Sequence, residues 1–303
     1  MIEVLRAGLC DLVMDLGRPG LGALGVPAGG AADPAALAAA NRLAGNADGA
    51  AALEILLVGP TLRFPRGGVA ALTGARFKAQ YSQGGNVPWN ETLVIQAGGT
   101  LSVGQAEEGA RCWLAVRGGI TVPQVMGSCS TFLPGGFGGF AGRALRPGDL
   151  LEVGKAADAA PRRLAYPPAL TAPTPLRLVA GPQAGCVDDR GLAALFHGTY
   201  HVMAASDRRG VRLEGPAVSH TCGELPSQGV VPGAVQVPAD GQPIILGWDG
   251  PVTGGYPVVG TVIEADLGRV AQLRPGDAVR FSTLDVIAAR ALATREWRVG
   301  EME

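Results

Sequence analysis

Glycine breaks this chain into short pieces. Paired glycines stand at Gly67-Gly68, Gly84-Gly85, Gly98-Gly99 and Gly118-Gly119, and the apolar runs around them are only a few residues long. Glycine reaches positive φ at tight turns without steric cost, so such punctuation favours many short strands over long helices. With 47 Gly and 23 Pro in 303 residues, the composition approaches that of disordered low-complexity chains. The 47% of hydrophobic residues, set between the turns, supply a core instead. The fold class read from this pattern is mostly β with a few short helices.

Strands are predicted at 53–58, 69–72, 92–96, 100–103 and 111–116, after an opening segment, 2–16, that reads as two strands around Gly8. Further strands are predicted at 176–180, 211–214, 234–237, 244–246 and 258–264. One helix carries its own signals. Asp33 is a good N-cap, Pro34 suits the first helical position, Leu37, Ala40 and Leu43 fall on one face, and Gly45-Asn46 stops it. Leu192, Leu195 and Phe196 predict a second helix at 188–196. Leu284, Ile287, Ala291 and Leu292 predict a terminal one within 284–297.

A polar, Pro-rich stretch at 155–175 reads as a linker between an N-terminal lobe, 1–154, and a C-terminal lobe, 176–303. Both lobes end on LRPGD followed by an alternating strand, at Leu145–Asp149 and Leu273–Asp277. GVPAGG at 25–30 and QVPADG at 236–241 form a second echo. Each LRPGD reads either as a type I turn before a strand or as one half of an internal repeat.

The charge balance excludes several functions. Charged residues are 17%, aromatics 5% and the formal charge −1, so the chain lacks the basic footprint expected of nucleic-acid or anionic-membrane binding. No run of about 18 apolar residues is present to span a bilayer, and Met1–Asp15 does not read as a secretory signal. A cytoplasmic location is the expectation. The cysteines, Cys10, Cys112, Cys129, Cys186 and Cys222, are odd in number and lack CxxC spacing, which argues against a disulfide framework or a zinc ribbon. The three histidines, His197, His201 and His220, make no ligand pattern, and no metal site is expected. P-loop, GxSxG and Rossmann signatures are absent.

Three loop segments concentrate polar groups. The first, 15–33, joins Asp15 and Arg18 to a helix N-terminus. The second, 128–143, brackets Phe137 and Phe140 with glycines. The third, 229–257, is the densest and carries Gln236, Asp240, Gln242, Asp249, Thr253 and Tyr256. Such groups on glycine-shaped loops suit a small polar substrate, with backbone N–H groups able to hold developing negative charge. Hairpins whose polar residues satisfy their own turns are the alternative, and it stays open.

Together these segments resemble a known family. RPGxxxLGVPxxGAxD at 18–33, AAALEIxLxGPTLRF at 50–64, STFLPGGFGGFAGR at 130–143, SDRRGVRLEGP at 206–216, PGAVQVPADGQPIIL at 232–246 and TGGYPVVGTVIEADL at 253–267 are similar to the biotin-dependent carboxyltransferase family. The likeness spans residues 1–282. That family includes the C subunit of 5-oxoprolinase, allophanate hydrolase subunit 2, the Kip-type antagonist of a kinase inhibitor and part of urea carboxylase. It implies a cyclophilin-like β-barrel with two related lobes.

At this length the chain most resembles the 5-oxoprolinase members. That implies ATP-dependent hydrolysis of 5-oxo-L-proline to L-glutamate together with A and B subunits, the Kip-type inhibitor-like B subunit being the direct partner. ATP with Mg is then expected in the complex, and no biotin on this chain. The other family activities, an amide-directed carboxyltransferase of urea or allophanate metabolism and a non-catalytic regulator of a kinase-inhibitor-like partner, stay open.

On the matching segments the implied catalytic residues are Asp240, Thr253 and Tyr256. Arg18, Gly30, Arg143, Arg208, Arg212, Gln236, Gln242, Gly254 and Gly255 are the implied substrate-binding residues. The chain departs from the family pattern at Cys129, Pro134 and Val258, where a basic residue is common, and at Gln228, where an acid is common.

Overall fold

The computed structural model describes residues 1–82, 84–155, 159–165 and 175–296. They form two compact units, one from residues 1–18 and 29–165, the other from 19–28 and 175–296. Of the linker read from the sequence, 156–158 and 166–174 lie outside the described residues.

The strands of the first unit are β1 (Ile2–Arg6), β2 (Asp11–Met14), β3 (Ala52–Leu56), β4 (Thr61–Phe64), β5 (Gly68–Gly74), β6 (Phe77–Tyr81), β7 (Thr92–Ile95), β8 (Gly99–Ala106), β9 (Arg111–Val116), β10 (Ile120–Thr121) and β11 (Leu150–Val153). Helix α1 (Pro34–Ala44) lies between β2 and β3. Six strands form a sheet in the order β10-β11-β1-β4-β8-β6, and five form another, β2-β3-β9-β5-β7. Period-two alternation sends Val4, Leu62, Phe64, Leu101 and Val103 into one core with Leu53, Ile55, Leu72 and Leu114. The five-stranded sheet is covered on its other face as well, where Leu37, Ala40 and Leu43 of α1 pack on Leu12, Met14, Ala71 and Trp113. Burial on both faces explains why residues 112–116 read as a continuous apolar run.

Helix α1 has the predicted caps. Asp33 accepts the N–H of Ala36 at 3.0 Å, and Gly45 closes the helix in the left-handed region at φ 83°.

The second unit contains β12 (Leu176–Ala180), α2 (Asp189–His197), β13 (Tyr200–Val202), β14 (Gly210–Glu214), β15 (Gln228–Gly229), β16 (Ala234–Gln236), β17 (Ile244–Leu246), β18 (Thr253–Gly254), β19 (Val258–Val262), α3 (Glu264–Ala271), β20 (Ala278–Val279), β21 (Phe281–Thr283) and α4 (Val286–Glu296). Its eight-stranded sheet runs β20-β13-β14-β17-β16-β19-β12-β21, with β15 and β18 paired separately. Only the β12–β21 pair is parallel among the described pairs. Leu178, Leu213, Val235, Ile245, Val262 and Phe281 form its core with Tyr200. The Tyr200 hydroxyl lies 3.0 Å from both the Ala194 and Pro216 carbonyls, and burial pushes its pKa up to about 12.

Three expectations change. The strand predicted to reach residue 264 ends at Val262, and 264–271 is helix α3. Gly268 lowers the helix propensity of that stretch. The completely buried Asp266 fastens it, accepting from the backbone N, Nε and Nη2 of Arg177 at 2.8, 3.0 and 2.5 Å. The two LRPGD turns are not type I. Gly148 and Gly276 both have φ 89°, the positive value that a type II turn requires at its third position. They are closed alike, by Asp149 N to Arg146 O at 3.1 Å and Asp277 N to Arg274 O at 3.0 Å.

The cysteines also differ from the sequence reading, because Cys186 and Cys222 form a disulfide. A bridge between Val187 and His220 sets them side by side, with Cα atoms 5.3 Å apart, and a separation of 36 residues gives no sequence signal of it. Among the described residues, no helix is long and apolar enough to cross a membrane.

Candidate functional site

The eight-stranded sheet of the second unit is apolar on one face and carries polar groups on the other. Val211 pairs with Ile245, and Ile245 with Val235, so this row faces the core. The neighbouring row alternates to the opposite face. In it, Arg212 pairs with Ile244, and Ile244 pairs with Gln236. Directly opposed residues on antiparallel strands share a face. With strands about 4.8 Å apart, Arg212 and Gln236 stand roughly 10 Å from each other at their Cα atoms, across Ile244.

This row floors a cleft of about 220 Å³ that is also lined by Asp207, Arg209 and Tyr256. The pairing of β16 with β19 shifts register between Val235 and Gln236. Such bulges re-aim side chains and recur beside active sites.

Charge in the cleft is unbalanced toward the cation. Neither the Arg209 nor the Arg212 guanidinium has an ion-pair or hydrogen-bond partner among the described residues. Asp207, the carboxylate of the lining, is engaged through Oδ1 with the backbone N–H groups of Arg209 at 2.7 Å and Gly210 at 3.2 Å. Gln236 is 4% exposed and its Nε2 lacks a hydrogen-bond partner among the described residues. Leaving a buried donor unmet costs about 1–3 kcal/mol, so this amide is an unusual thing to keep. It packs against Gly254, where an added Cβ would lie 2.6 Å from Nε2. Chemically, the cleft offers two cations free of partners among the described residues, an amide side chain whose Nε2 is buried, and an apolar floor.

The residues implied by the family resemblance divide into groups. Arg212, Gln236 and Tyr256 line the cleft. Gly254 borders it through Gln236, while Thr253 and Gly255 are exposed and outside its lining. Asp240 is exposed and accepts the N–H of Gln242 at 3.0 Å, a turn of its own making. Gln242 is likewise occupied, accepting from Gly215 N at 2.8 Å and donating to Gly215 O at 3.2 Å. Arg208 is held by Asp249 through Nε at 2.7 Å and Nη2 at 3.1 Å.

Arg18, Gly30 and Arg143 belong to the first unit. Arg18 is 2% exposed, donates to Ser130 O and Val125 O, and lies over the Phe137 ring at 5.2 Å. Beside it, Asp15 accepts from the Ser128 and Ser130 hydroxyls, each at 2.6 Å, and from the N–H of Cys129 at 2.6 Å. This network ties the first loop segment to the second. Gly30 is buried in the turn before α1. Arg143 grips Asp149 with both Nη atoms, at 2.7 and 2.8 Å, and those bonds hold the Asp149 carboxyl below its usual pKa.

At the departures from the family pattern, Val258 is buried with Ala234 and Leu246, and Gln228 pairs reciprocally with Gln183.

Sequence reasoning missed Arg209, Asp207 and Ile244. Alternation back from Arg212 through Gly210 puts Arg208, not Arg209, on the cleft face. The turn at Asp207 breaks that alternation, and only the tertiary partner Asp249 shows which arginine is spent.

Known proteins place this geometry in a wider group. The chain is 40% identical over 283 residues to the C subunit of 5-oxoprolinase from Escherichia coli, covering 93% of this chain and 90% of that protein. It is 32% identical to the urea amidolyase of Saccharomyces cerevisiae over 96% of this chain but only 17% of that much longer protein. The crystal structure of the K. lactis urea amidolyase superposes with a TM-score of 0.91 at 32% identity, covering 97% of this chain and 19% of that one. Residues 24–283 match the carboxyltransferase domain, subdomain A and B, and the chain belongs to that family.

Proposed function

We propose that this chain is the C subunit of a 5-oxoprolinase, which opens the lactam of 5-oxo-L-proline to L-glutamate with ATP hydrolysis and acts only with A and B subunits. The observation that carries the reading is the 40% identity to the Escherichia coli C subunit along nearly the full length of both chains. In the net reaction, the ring C–N bond breaks, the oxygen of water joins the carbonyl carbon, and the nitrogen takes up protons.

The cleft is in keeping with the substrate but not with the nucleotide. At about 220 Å³ it is smaller than the roughly 300–1,000 Å³ of sites for drug-sized ligands, so it suits a single-ring metabolite rather than ATP. No step involving ATP or Mg is therefore assigned to this chain. Urea, the substrate of the alternative drawn from the amidolyase relatives, is itself neutral, whereas 5-oxo-L-proline brings its own carboxylate to the two guanidinium groups that lack partners among the described residues.

The test is reconstitution with the A and B subunits of the same source. Glutamate release from 5-oxo-L-proline and ATP is expected to require all three chains. A complete mixture that releases none overturns the proposal.

A further inference from the structure

The unpaired groups of the cleft differ in kind, and together they describe a ligand. Two guanidinium groups without partners among the described residues call for an anion, and planar, forked donors match a carboxylate. The buried Gln236 Nε2 calls for a separate acceptor, since it is a neutral amide donor at the other end of the Arg212–Ile244–Gln236 row. Between these ends, Ile244 and Leu246 offer apolar surface. Asp207, the carboxylate that faces the same space, already accepts two backbone N–H groups and leaves the cations in excess.

We infer that the cleft is a small-carboxylate subsite in which Arg209 and Arg212 hold the carboxylate and the Gln236 amide, its Nε2 turned out from the buried position beside Gly254, donates to a carbonyl oxygen of the same molecule. 5-Oxo-L-proline carries a carboxylate, a carbonyl and a compact apolar ring, and naming it as the occupant rests on the function proposed above. Arg209 and Gln236 then become binding residues that set specificity: the first reads the anion, the second the lactam carbonyl. Urea lacks the anion, and pyrrolidine carboxylates such as L-proline lack the carbonyl.

The experiment measures binding to the full chain by calorimetry, using 5-oxo-L-proline, 2-pyrrolidone and L-proline as probes. It also measures KM for 5-oxo-L-proline in the reconstituted three-subunit enzyme. The variants are Arg209→Met, Arg212→Met and Gln236→Leu, with Arg212→Lys as the conservative control.

5-Oxo-L-proline is expected to bind more tightly than either fragment. Each arginine variant should raise Kd or KM at least about tenfold, as loss of a charge-assisted hydrogen bond does, with Lys restoring part of it. Gln236→Leu should weaken 5-oxo-L-proline but leave L-proline unchanged.

An unchanged KM in the arginine variants of an active complex overturns the subsite and leaves the functional reading standing. An inactive complex in which this chain still binds a small carboxylate through Arg209 and Arg212 does the reverse. If no small carboxylate binds to the chain or the complex, the subsite is wrong. Arg209 and Arg212 lie at the surface rather than in the core, so their replacement leaves the packing intact, and melting curves matching the parent chain verify this.

Discussion

Arg212 and Gln236 are both paired with Ile244, from opposite sides, so a free guanidinium and a buried amide share one sheet face with an apolar residue between them. The gap they define is filled from its floor by a larger residue. Ile244→Phe places a ring between the two without touching the core row of Val235 and Ile245. Stability should fall by less than about 1 kcal/mol, since the added bulk enters open space rather than a packed core. Affinity for 5-oxo-L-proline should be lost, and a chemical melt beside a binding isotherm separates the two effects.

Gly254 gives a finer probe of the same amide. The Cβ of Gly254→Ala would stand 2.6 Å from Gln236 Nε2, and the end of a flexible side chain yields more readily than backbone. The variant should therefore fold normally yet move the amide. A rise in KM of about tenfold or less, with Tm within a few degrees of the parent, is the expected result. Unchanged KM would mean that Nε2 does not face the ligand.

How far the site was legible depends on what kind of contact makes it. Local signals were readable to the residue: Asp33 and Gly45 cap α1 through bonds that sequence neighbours determine. Strands 111–116, 176–180 and 244–246 were set by short, mainly apolar runs. Long-range choices were not. Arg208 and Arg209 are adjacent and chemically alike, and only Asp249, some forty residues on, decides which one is spent. Cys186 and Cys222 meet through the bridge at Val187 and His220, while α3 depends on the Arg177–Asp266 pair to hold a helix weakened by Gly268.

Arg208 and Asp249 should behave as a structural pair. Their side chains are 9% and 1% exposed, and removing one partner strands a buried charge. Asp249→Ala should cost about 3–5 kcal/mol, whereas replacing both by apolar residues of similar size should recover most of it. The same loop is tied by Asp249 N to Arg208 O and Gly247 N to Arg209 O, at 3.1 and 2.9 Å. Urea unfolding of the single and double variants distinguishes this from a binding role, for which both would impair the enzyme equally at full stability.

The Cys186–Cys222 bond closes 36 residues of the second unit. Loop-closure entropy for that length stabilises the fold by roughly 4 kcal/mol on the chain-entropy model. Reductant should lower the guanidinium midpoint, and Cys186→Ser should remove the response. Thiol titration of the denatured chain without reductant should count three thiols, those of Cys10, Cys112 and Cys129, which lie outside the disulfide. A count of five would contradict the bond.

Asp11 gives the first unit a pH dependence of unusual sign. The residue is 1% exposed on β2, with Oδ2 accepting the N–H of Gly8 at 2.6 Å and Oδ1 lacking a partner among the described residues. Burial raises its pKa from 3.8 to about 6, against the opposing pull of the Gly8 bond and the Arg6 charge. For an acid whose folded pKa is raised, the folded state binds the extra proton between the two values. The contribution is therefore complete below pH 3.8 and is lost as pH rises through about 6. The span corresponds to about 3 kcal/mol, which the folded chain forgoes at neutral pH. Asp11→Asn keeps an acceptor for Gly8 and carries no charge to bury. Its gain in stability over the parent should be small at pH 4, grow between pH 4 and 6, and level off above about pH 7. Denaturant unfolding across that range reads the difference directly, and parallel curves for the two proteins would show that Asp11 is not the group responsible.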